Sequence, residues 1–297
     1  MTEQRNHPQN TTLQDGDPDT TGHSWDGIQE FNNPLPRWWL WTFYFTIFWG
    51  IIYTIAYPAW PLITGATPGV IGFSTRANVA EDIVQFEAMN SDLRAQIETV
   101  ELASITPQAD PDLYNYAIQG GAAIFRTWCA QCHGSGAAGV QASGYPNLLD
   151  DDWLWGGSVE DIHLTIRHGI RNEEDPDARY SQMTAYERIL SDEEISQVVH
   201  YVRDISGQEA DHALADAGAT VYLDNCAACH SDDGTGDRFL GAPNLTDAIW
   251  LYGGSNEAIE YTVRNARFGV MPAWQSRLSE SDIRAVSVYV HALGGGE

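Results

Sequence analysis

The sequence predicts a mainly α-helical chain, in which one N-terminal transmembrane helix precedes two tandem copies of one small helical domain. Three observations carry this. A 20-residue run, Trp38 to Tyr57, is almost wholly apolar or aromatic. A five-residue pattern occurs twice, 97 positions apart, with matching flanks. Neither copy contains the period-two alternation of a half-buried strand.

The chain has 297 residues, with 15 basic against 41 acidic side chains and a formal net charge of −26. All 15 basic residues are arginine. That balance argues against a nucleic-acid binder, which needs clustered cations to displace counterions from phosphate. It also argues against an anionic-lipid-binding surface. An acidic surface suits a partner with a positive docking patch, or a very salty environment.

Residues 1–33 are polar, rich in Pro, Asn and Asp, and have no hydrophobic period, so most of this tail is expected to be disordered. Residues 38–60 form the anchor. At ~1.5 Å per residue its helix matches the ~30 Å hydrocarbon core. Trp38, Trp39 and Trp41 at one end, and Tyr53, Tyr57 and Trp60 at the other, supply the interfacial aromatic belts. The run starts too late and is too long for a cleaved signal peptide, and it reads as an uncleaved signal anchor. The positive-inside rule does not orient it, because residues 1–37 carry two Arg against six acidic residues.

Residues 61–110 are a linker. Gly65, Pro68, Gly69 and Gly72 mark a flexible exit, and Ile83, Phe86, Met89, Leu93, Ile97 and Val100 recur at spacings of three or four. That period predicts one amphipathic helix, a spacer or docking element beside the membrane, ending before Pro107 and Pro111.

The remainder is a duplication, residues 111–207 and 208–297, joined near Gly207. Cys129-Ala-Gln-Cys132-His133 matches Cys226-Ala-Ala-Cys229-His230 at an offset of 97, as do Pro146-Asn147-Leu148 with Pro243-Asn244-Leu245, and Arg167 with Arg264. The Trp153-Leu154-Trp155-Gly156-Gly157-Ser158 turn likewise matches Trp250-Leu251-Tyr252-Gly253-Gly254-Ser255. The offset then falls to 88, pairing Met183 with Met271 and Tyr201-Val202 with Tyr289-Val290. Nine extra residues therefore lie in the acidic stretch Arg171 to Tyr180 of the first copy. Each copy reads as a helix before the Cys pair, a helix after the Gly-Gly-Ser turn, and a third opening at Ser191 or Ser279 on a capping box or its acidic relative.

Cys-x-x-Cys-His is the attachment pattern of c-type heme. On a helical turn, cysteines three apart project to one face and each forms a thioether with one vinyl group, while the adjacent His reaches the iron. All four cysteines are used in this way, so two covalently bound heme c groups are expected at Cys129, Cys132, Cys226 and Cys229, with His133 and His230 on the irons. Two such sites in small helical repeats predict two tandem class I cytochrome c domains. A zinc ribbon is disfavoured because 93 residues separate Cys132 from Cys226 on the count that excludes both cysteines. A thioredoxin-like pair wants a strand before its helix and has no use for the following His.

Apart from Met1 and Met89, the methionines are Met183 and Met271, at equivalent places on loops before the last helix of each copy. A thioether stabilises Fe(II), and His/Met ligation raises the potential. Met183 and Met271 are therefore the candidate sixth ligands. Thr184 follows Met183 where Pro272 follows Met271, so His168 or His163 is the fallback in the first copy. The Pro146 and Pro243 carbonyls, each 13 residues past the ligand His, are candidate acceptors for its second ring N–H. Arg167 and Arg264 are candidate partners of heme propionates, and Trp153 and Trp250 candidate cavity walls. Heme attachment of this kind occurs outside the bacterial cytoplasm, which puts the repeats in the periplasm and residues 1–37 in the cytoplasm.

The segment Asp26-Gly27-Ile28-Gln29-Glu30-Phe31-Asn32-Asn33-Pro34-Leu35-Pro36-Arg37-Trp38-Trp39-Leu40-Trp41, followed by the linker helix and both heme repeats, resembles the diheme cytochrome c subunit (CcoP, FixP) of cbb3-type cytochrome c oxidases. The resemblance implies a complex with a catalytic subunit, carrying heme b and a heme b3–copper centre, and a monoheme cytochrome c subunit. It implies electron entry from a soluble cytochrome c or a bc1 complex, a single-pass location in the bacterial inner membrane, and oxygen reduction outside this chain. By default each Met is expected to serve its own repeat, and the resemblance also permits crossed ligation across the domain interface. A stand-alone membrane-bound electron shuttle and a diheme peroxidase are the rival functions.

Overall fold

The computed structural model describes residues 18–26 and 28–297, and they form two compact units, one ending at Phe86 and one spanning Glu87–Glu297. In the first unit a hairpin, β1 (Thr20–Trp25) and β2 (Ile28–Phe31), precedes the anchor helix α1 (Arg37–Ala56). The hairpin departs from the expected disorder for the part of the tail within Thr20–Phe31 only. Trp25 pairs with Ile28 across Asp26-Gly27, the dipeptide that favours a two-residue hairpin turn, and Asp26 takes the left-handed φ of 54°. For residues 1–17 and Gly27 the expectation lies outside the described residues.

Helix α1 has no buried residue within the unit and is long and apolar enough to cross a bilayer. Its hydroxyls are satisfied internally, as a lipid environment demands: Thr42 donates to the Trp38 carbonyl, Thr46 to Phe43 and Thr54 to Ile51. The extended Tyr57, followed by Pro58, ends the helix. The chain then folds back, with the Val70 and Ile71 amides donating to the carbonyls of Ile55 and Ala56. A two-residue pairing, β3 (Pro61–Leu62) with β4 (Gly65–Ala66), shapes that return.

The linker periodicity resolves into two helices, α2 (Thr75–Met89) and α3 (Ser91–Thr99), rather than one. Asn90 leaves helical geometry at φ −106°, ψ 7°, and starts α3 afresh. The helices differ in packing. No residue of α2 is buried, whereas Ile97 of α3 is fully buried in a cluster with Leu102, Leu113, Ala285 and Val288. The second half of the expected spacer is therefore part of the core of the second unit.

The second unit is built from equivalent helices. In the first copy these are α4 (Pro111–Ile124), the short α5 (Ala130–His133), α6 (Val159–His168) and α7 (Asp192–Ile205). In the second they are α8 (His212–Asn225), α9 (Ala227–His230), α10 (Asn256–Asn265) and α11 (Glu280–His291). Each start has a chemical reason. Asp110, before Pro111, accepts from the Leu113 amide, Asp211 caps α8, and Ser158 and Ser255 cap α6 and α10. Ser191 and Ser279 form reciprocal capping boxes with Glu194 and Asp282.

The copies exchange their last helices. Helix α7 packs on α8 and α10, and α11 packs on α4, α6 and α3. The contacts are equivalent by the sequence offsets. Gly121 of α4 lies against Ala285 and Tyr289 of α11, and Gly218 of α8 lies against Gln197 and Tyr201 of α7. A side chain at either glycine would overlap the facing helix backbone. The short connection from Ile205 to His212 makes α7 and α8 antiparallel neighbours.

Candidate functional site

Each Cys-x-x-Cys-His turn sits where a long helix ends. Helix α4 widens into a π-helical turn, Phe125–Cys129, before α5, and π-turns of this kind recur at functional sites. In the second copy Cys226 itself is the junction between α8 and α9. After each His the chain reverses through a tight loop. The Gly139 and Gly236 amides donate to the His133 and His230 carbonyls, both at 2.9 Å. Both glycines have positive φ, 68° and 81°, and a Cβ there would strike the Tyr145–Pro146 or Ala242–Pro243 backbone.

That loop delivers a carbonyl to each imidazole. His133 Nδ1 lies 3.2 Å from the Pro146 oxygen and His230 Nδ1 lies 3.1 Å from the Pro243 oxygen. A carbonyl only accepts, so Nδ1–H donates in both copies and Nε2 keeps its lone pair. Burial lowers both imidazole pKa values, which favours the neutral form that binds iron. The same burial, with the second thiol nearby, pushes the Cys129 and Cys226 thiols up to about 11. Those sulfurs are protonated until thioether formation removes the proton.

The methionines lie opposite the other copy's cysteines. Met271 packs with Cys129 against a cluster of Phe125, Ile166, Trp274, Ile283 and Val286. Met183 packs with Cys226 against Ile195, Val199, Tyr222 and Val263. Backbone bonds fix the exchange: the Trp274 amide donates to the Ile166 carbonyl at 3.1 Å, and its equivalent Tyr186 donates to Val263 at 3.0 Å. Met271 is tied further by a two-way backbone bridge to Ile170. Met183, Cys226, Cys229 and His230 all line one cavity of about 480 Å³. That is within the ~300–1,000 Å³ of cofactor sites. Its wall includes Val198, Val202, Tyr222, Leu245, Ile259 and Val263. Two thiols, a free imidazole nitrogen, a thioether and an apolar wall fit a covalently held heme.

Other expected residues fall elsewhere. Arg167 and Arg264 do not line this cavity. Arg167 donates to Glu280 at 3.2 Å and to Gln275, and Arg264 donates to Asp192 and Glu260. They are ion-pair partners within the interlocked unit, each reaching the other copy's last helix or the residues before it. His163 is buried with Nε2 2.9 Å from Glu280, and His168 Nδ1 is 3.2 Å from Asp175. Trp250 lines the cavity, while Trp153 packs on the Met271 cluster and donates its indole N–H to the Gly295 carbonyl. Sequence reasoning passed over Arg171 and Arg267, the arginines that do line the cavity. Arg171 lies in the insertion and has no arginine at its repeat-equivalent place, so comparing the copies could not flag it.

Comparison with known proteins follows the same division of the chain. Residues 17–64 match the N-terminal domain of cytochrome oxidase-cbb3, FixP. Residues 117–202 and 213–290 each match cytochrome C oxidase, cbb3-type, subunit III. The chain is 62% identical over 289 residues to the cbb3-type cytochrome c oxidase subunit CcoP of Cereibacter sphaeroides, covering 97% of this chain and 98% of that one. It is 54% identical to the CcoP subunit of Rhodobacter capsulatus, across 94% of this chain and 96% of that one. Identity to the FixP subunit of Azorhizobium caulinodans is 50%, across 95% of each chain. Two heme-attachment turns in two matched domains, behind a matched N-terminal anchor, leave one assignment: the chain belongs to the CcoP/FixP family, the subunits of cbb3-type cytochrome c oxidases that carry two covalently bound heme c groups.

Proposed function

We propose that this chain is the electron relay of a cbb3-type oxidase. It takes electrons from a soluble cytochrome c or a bc1 complex in the periplasm. It passes them to a catalytic subunit with heme b and a heme b3–copper centre, in a complex that also contains a monoheme cytochrome c subunit. Oxygen is reduced to water in the catalytic subunit, and no residue of this chain takes part in that step. Residues 1–37 are cytoplasmic, α1 crosses the inner membrane once, and the repeats are periplasmic, because c-type heme is attached outside the cytoplasm.

The observation that carries the reading is the pair of equivalent Cys-x-x-Cys-His turns, each facing a methionine of the other copy within one interlocked unit. Cys129, Cys132, His133 and Met271 would hold one heme, and Cys226, Cys229, His230 and Met183 the other. When bound, each iron supplies a one-electron Fe(III)/Fe(II) couple whose potential His/Met ligation raises. The chain's own groups set that couple. The Pro146 and Pro243 carbonyls orient the imidazoles, the apolar clusters exclude water, and the exchanged helices hold each methionine in place. The acidic surface complements a basic electron donor.

Co-purification after mild detergent extraction tests the role. The proposal expects b-type heme absorbance and oxidase turnover to accompany the chain, and turnover to be lost in His133→Ala and His230→Ala. Isolation of the chain alone, with no b-type heme, would favour a free-standing shuttle.

A further inference from the structure

A heme brings two carboxylates into its cavity, and a buried carboxylate needs a charge-assisted partner. The cationic side chains lining the cavity that holds Cys226, Cys229, His230 and Met183 are Arg171 and Arg267. In a chain with 41 acidic residues against 15 arginines, cations should be claimed by carboxylates. Arg94, Arg167, Arg179, Arg238, Arg264 and Arg284 are so claimed. Arg171 and Arg267, among the described residues, form no ion pair; Arg37, Arg76, Arg126, Arg188, Arg203 and Arg277 form none either, but of these arginines Arg171 and Arg267 alone line the cavity.

Both are nonetheless held in place. Arg171 Nε donates to the Ser181 carbonyl at 2.5 Å and Nη1 to the Gly269 carbonyl at 3.2 Å, and the guanidinium lies 5.8 Å from the centroids of Trp155 and Phe268. Its backbone has the left-handed φ of 52°, held by its amide donating to the Arg179 carbonyl. Strain of this kind persists where the surroundings enforce it, and it clusters at ligand clamps. Arg267 Nε and Nη2 donate to Thr262 Oγ1, with Nη2 also reaching the Ala258 carbonyl at 2.7 Å, and the group stacks 4.6 Å from the Tyr252 centroid. One side of each guanidinium is thus fixed by neutral groups, while Nη2 of Arg171 and Nη1 of Arg267 donate to no acceptor among the described residues. Burial pulls the Arg171 pKa down, as expected for a cation without a counter-charge.

We propose that Arg171 and Arg267 bind the propionates of the heme attached at Cys226 and Cys229, with Arg171 reaching across from the first repeat. This rests on the assignment of that heme to His230 and Met183. The two cations offset the propionate charge, so they favour Fe(II) over Fe(III) at that heme.

The test is an optical redox titration of both hemes in the purified, heme-loaded protein. Arg171→Gln and Arg267→Gln should each shift the equilibrium of the heme at Cys226 and Cys229 about tenfold toward Fe(III), 59 mV for a one-electron couple. The other heme should stay within about twofold, and Arg171→Lys or Arg267→Lys should recover most of the shift. Retention of the sulfur-to-iron charge-transfer band shows the ligand assignment intact. An unshifted potential with that band present overturns the propionate proposal alone, and loss of the Met183 band overturns the assignment beneath it. Lys variants that shift as far as Gln variants would also overturn it, since packing rather than charge would then be at work. Should the Gln variants fail to retain heme, the propionate bending mode in resonance Raman spectra of the Lys variants decides. A displaced mode supports the contact, and a mode identical to wild type in both overturns it.

Discussion

The exchange of last helices rests on two glycines, and adding one methyl group to Gly121 tests its first half. Gly121 is buried on α4, where a Cβ would overlap the Ala285 carbonyl oxygen and stand 2.6 Å from Tyr289 Cβ. Neither obstacle is the end of a flexible side chain, so relief requires α4 and α11 to separate. Overpacking of this kind costs ~1–3 kcal/mol, and a backbone clash belongs in the upper half. The helix gains ~1 kcal/mol from replacing glycine by alanine, which leaves a net loss of about 1–2 kcal/mol. For a unit of this size each kcal/mol moves Tm by ~2–4 °C, so Gly121→Ala should melt ~2–8 °C lower. The adjacent Gly120 is an internal control, because a Cβ there meets nothing within 4 Å. Gly120→Ala should gain ~0.5–1 kcal/mol and melt ~1–4 °C higher. Thermal unfolding of both heme-loaded variants, followed by far-UV circular dichroism, reads the contrast. Equal shifts, or a more stable Gly121→Ala, would refute the close approach of α4 and α11.

Two further outcomes follow from particular groups. Ile97→Ala should cost ~2–5 kcal/mol in chemical denaturation of the heme-loaded protein, because Ile97 is fully buried among helices of the second unit. A near-zero cost would return α3 to the role of a free spacer. Burial, with Asp247 and Asp150 close by, pushes the Asp152 carboxyl up to about 6. Its folded pKa thus exceeds the unfolded value of about 3.9, so the folded state binds the proton more tightly and stability falls as pH rises from about 4 to about 6. Asp152→Asn should therefore raise Tm at pH 7–8 and leave it nearly unchanged near pH 4. A Tm difference independent of pH would contradict this.

Much of the site is legible in the sequence because its chemistry is local. The Cys-x-x-Cys-His turns are set by spacing along one helical turn, and the Pro146 and Pro243 carbonyls stand a fixed 13 residues beyond their histidines. The anchor declares itself by length and charge. Where the reading failed, non-local packing decided. A tandem repeat offers equivalent surfaces in either pairing, since Gly121 can face Tyr201 or Tyr289 with the same local chemistry, so the exchange of α7 and α11 is invisible to alignment of the copies. The six-residue connection Ser206 to Asp211 was the available clue. Arg167 and Arg264 attracted notice by repeating, and what they repeat is an ion pair with the other copy. Arg171 sits in the insertion without an arginine counterpart. The hairpin before the anchor was signalled by Asp26-Gly27, but its flanks are short and exposed, with no apolar face to mark them as strands.

The central claim is that each heme is attached in one repeat and completed by the methionine of the other. It is tested most directly in protein that keeps the second attachment turn alone, with Cys129→Ser and Cys132→Ser, by measuring the sulfur-to-iron charge-transfer band after Met183→Leu or Met271→Leu. The account predicts one c-type heme by pyridine hemochrome, a band abolished by Met183→Leu, and a band retained in Met271→Leu. Loss of the band in Met271→Leu, with Met183→Leu unaffected, would contradict it.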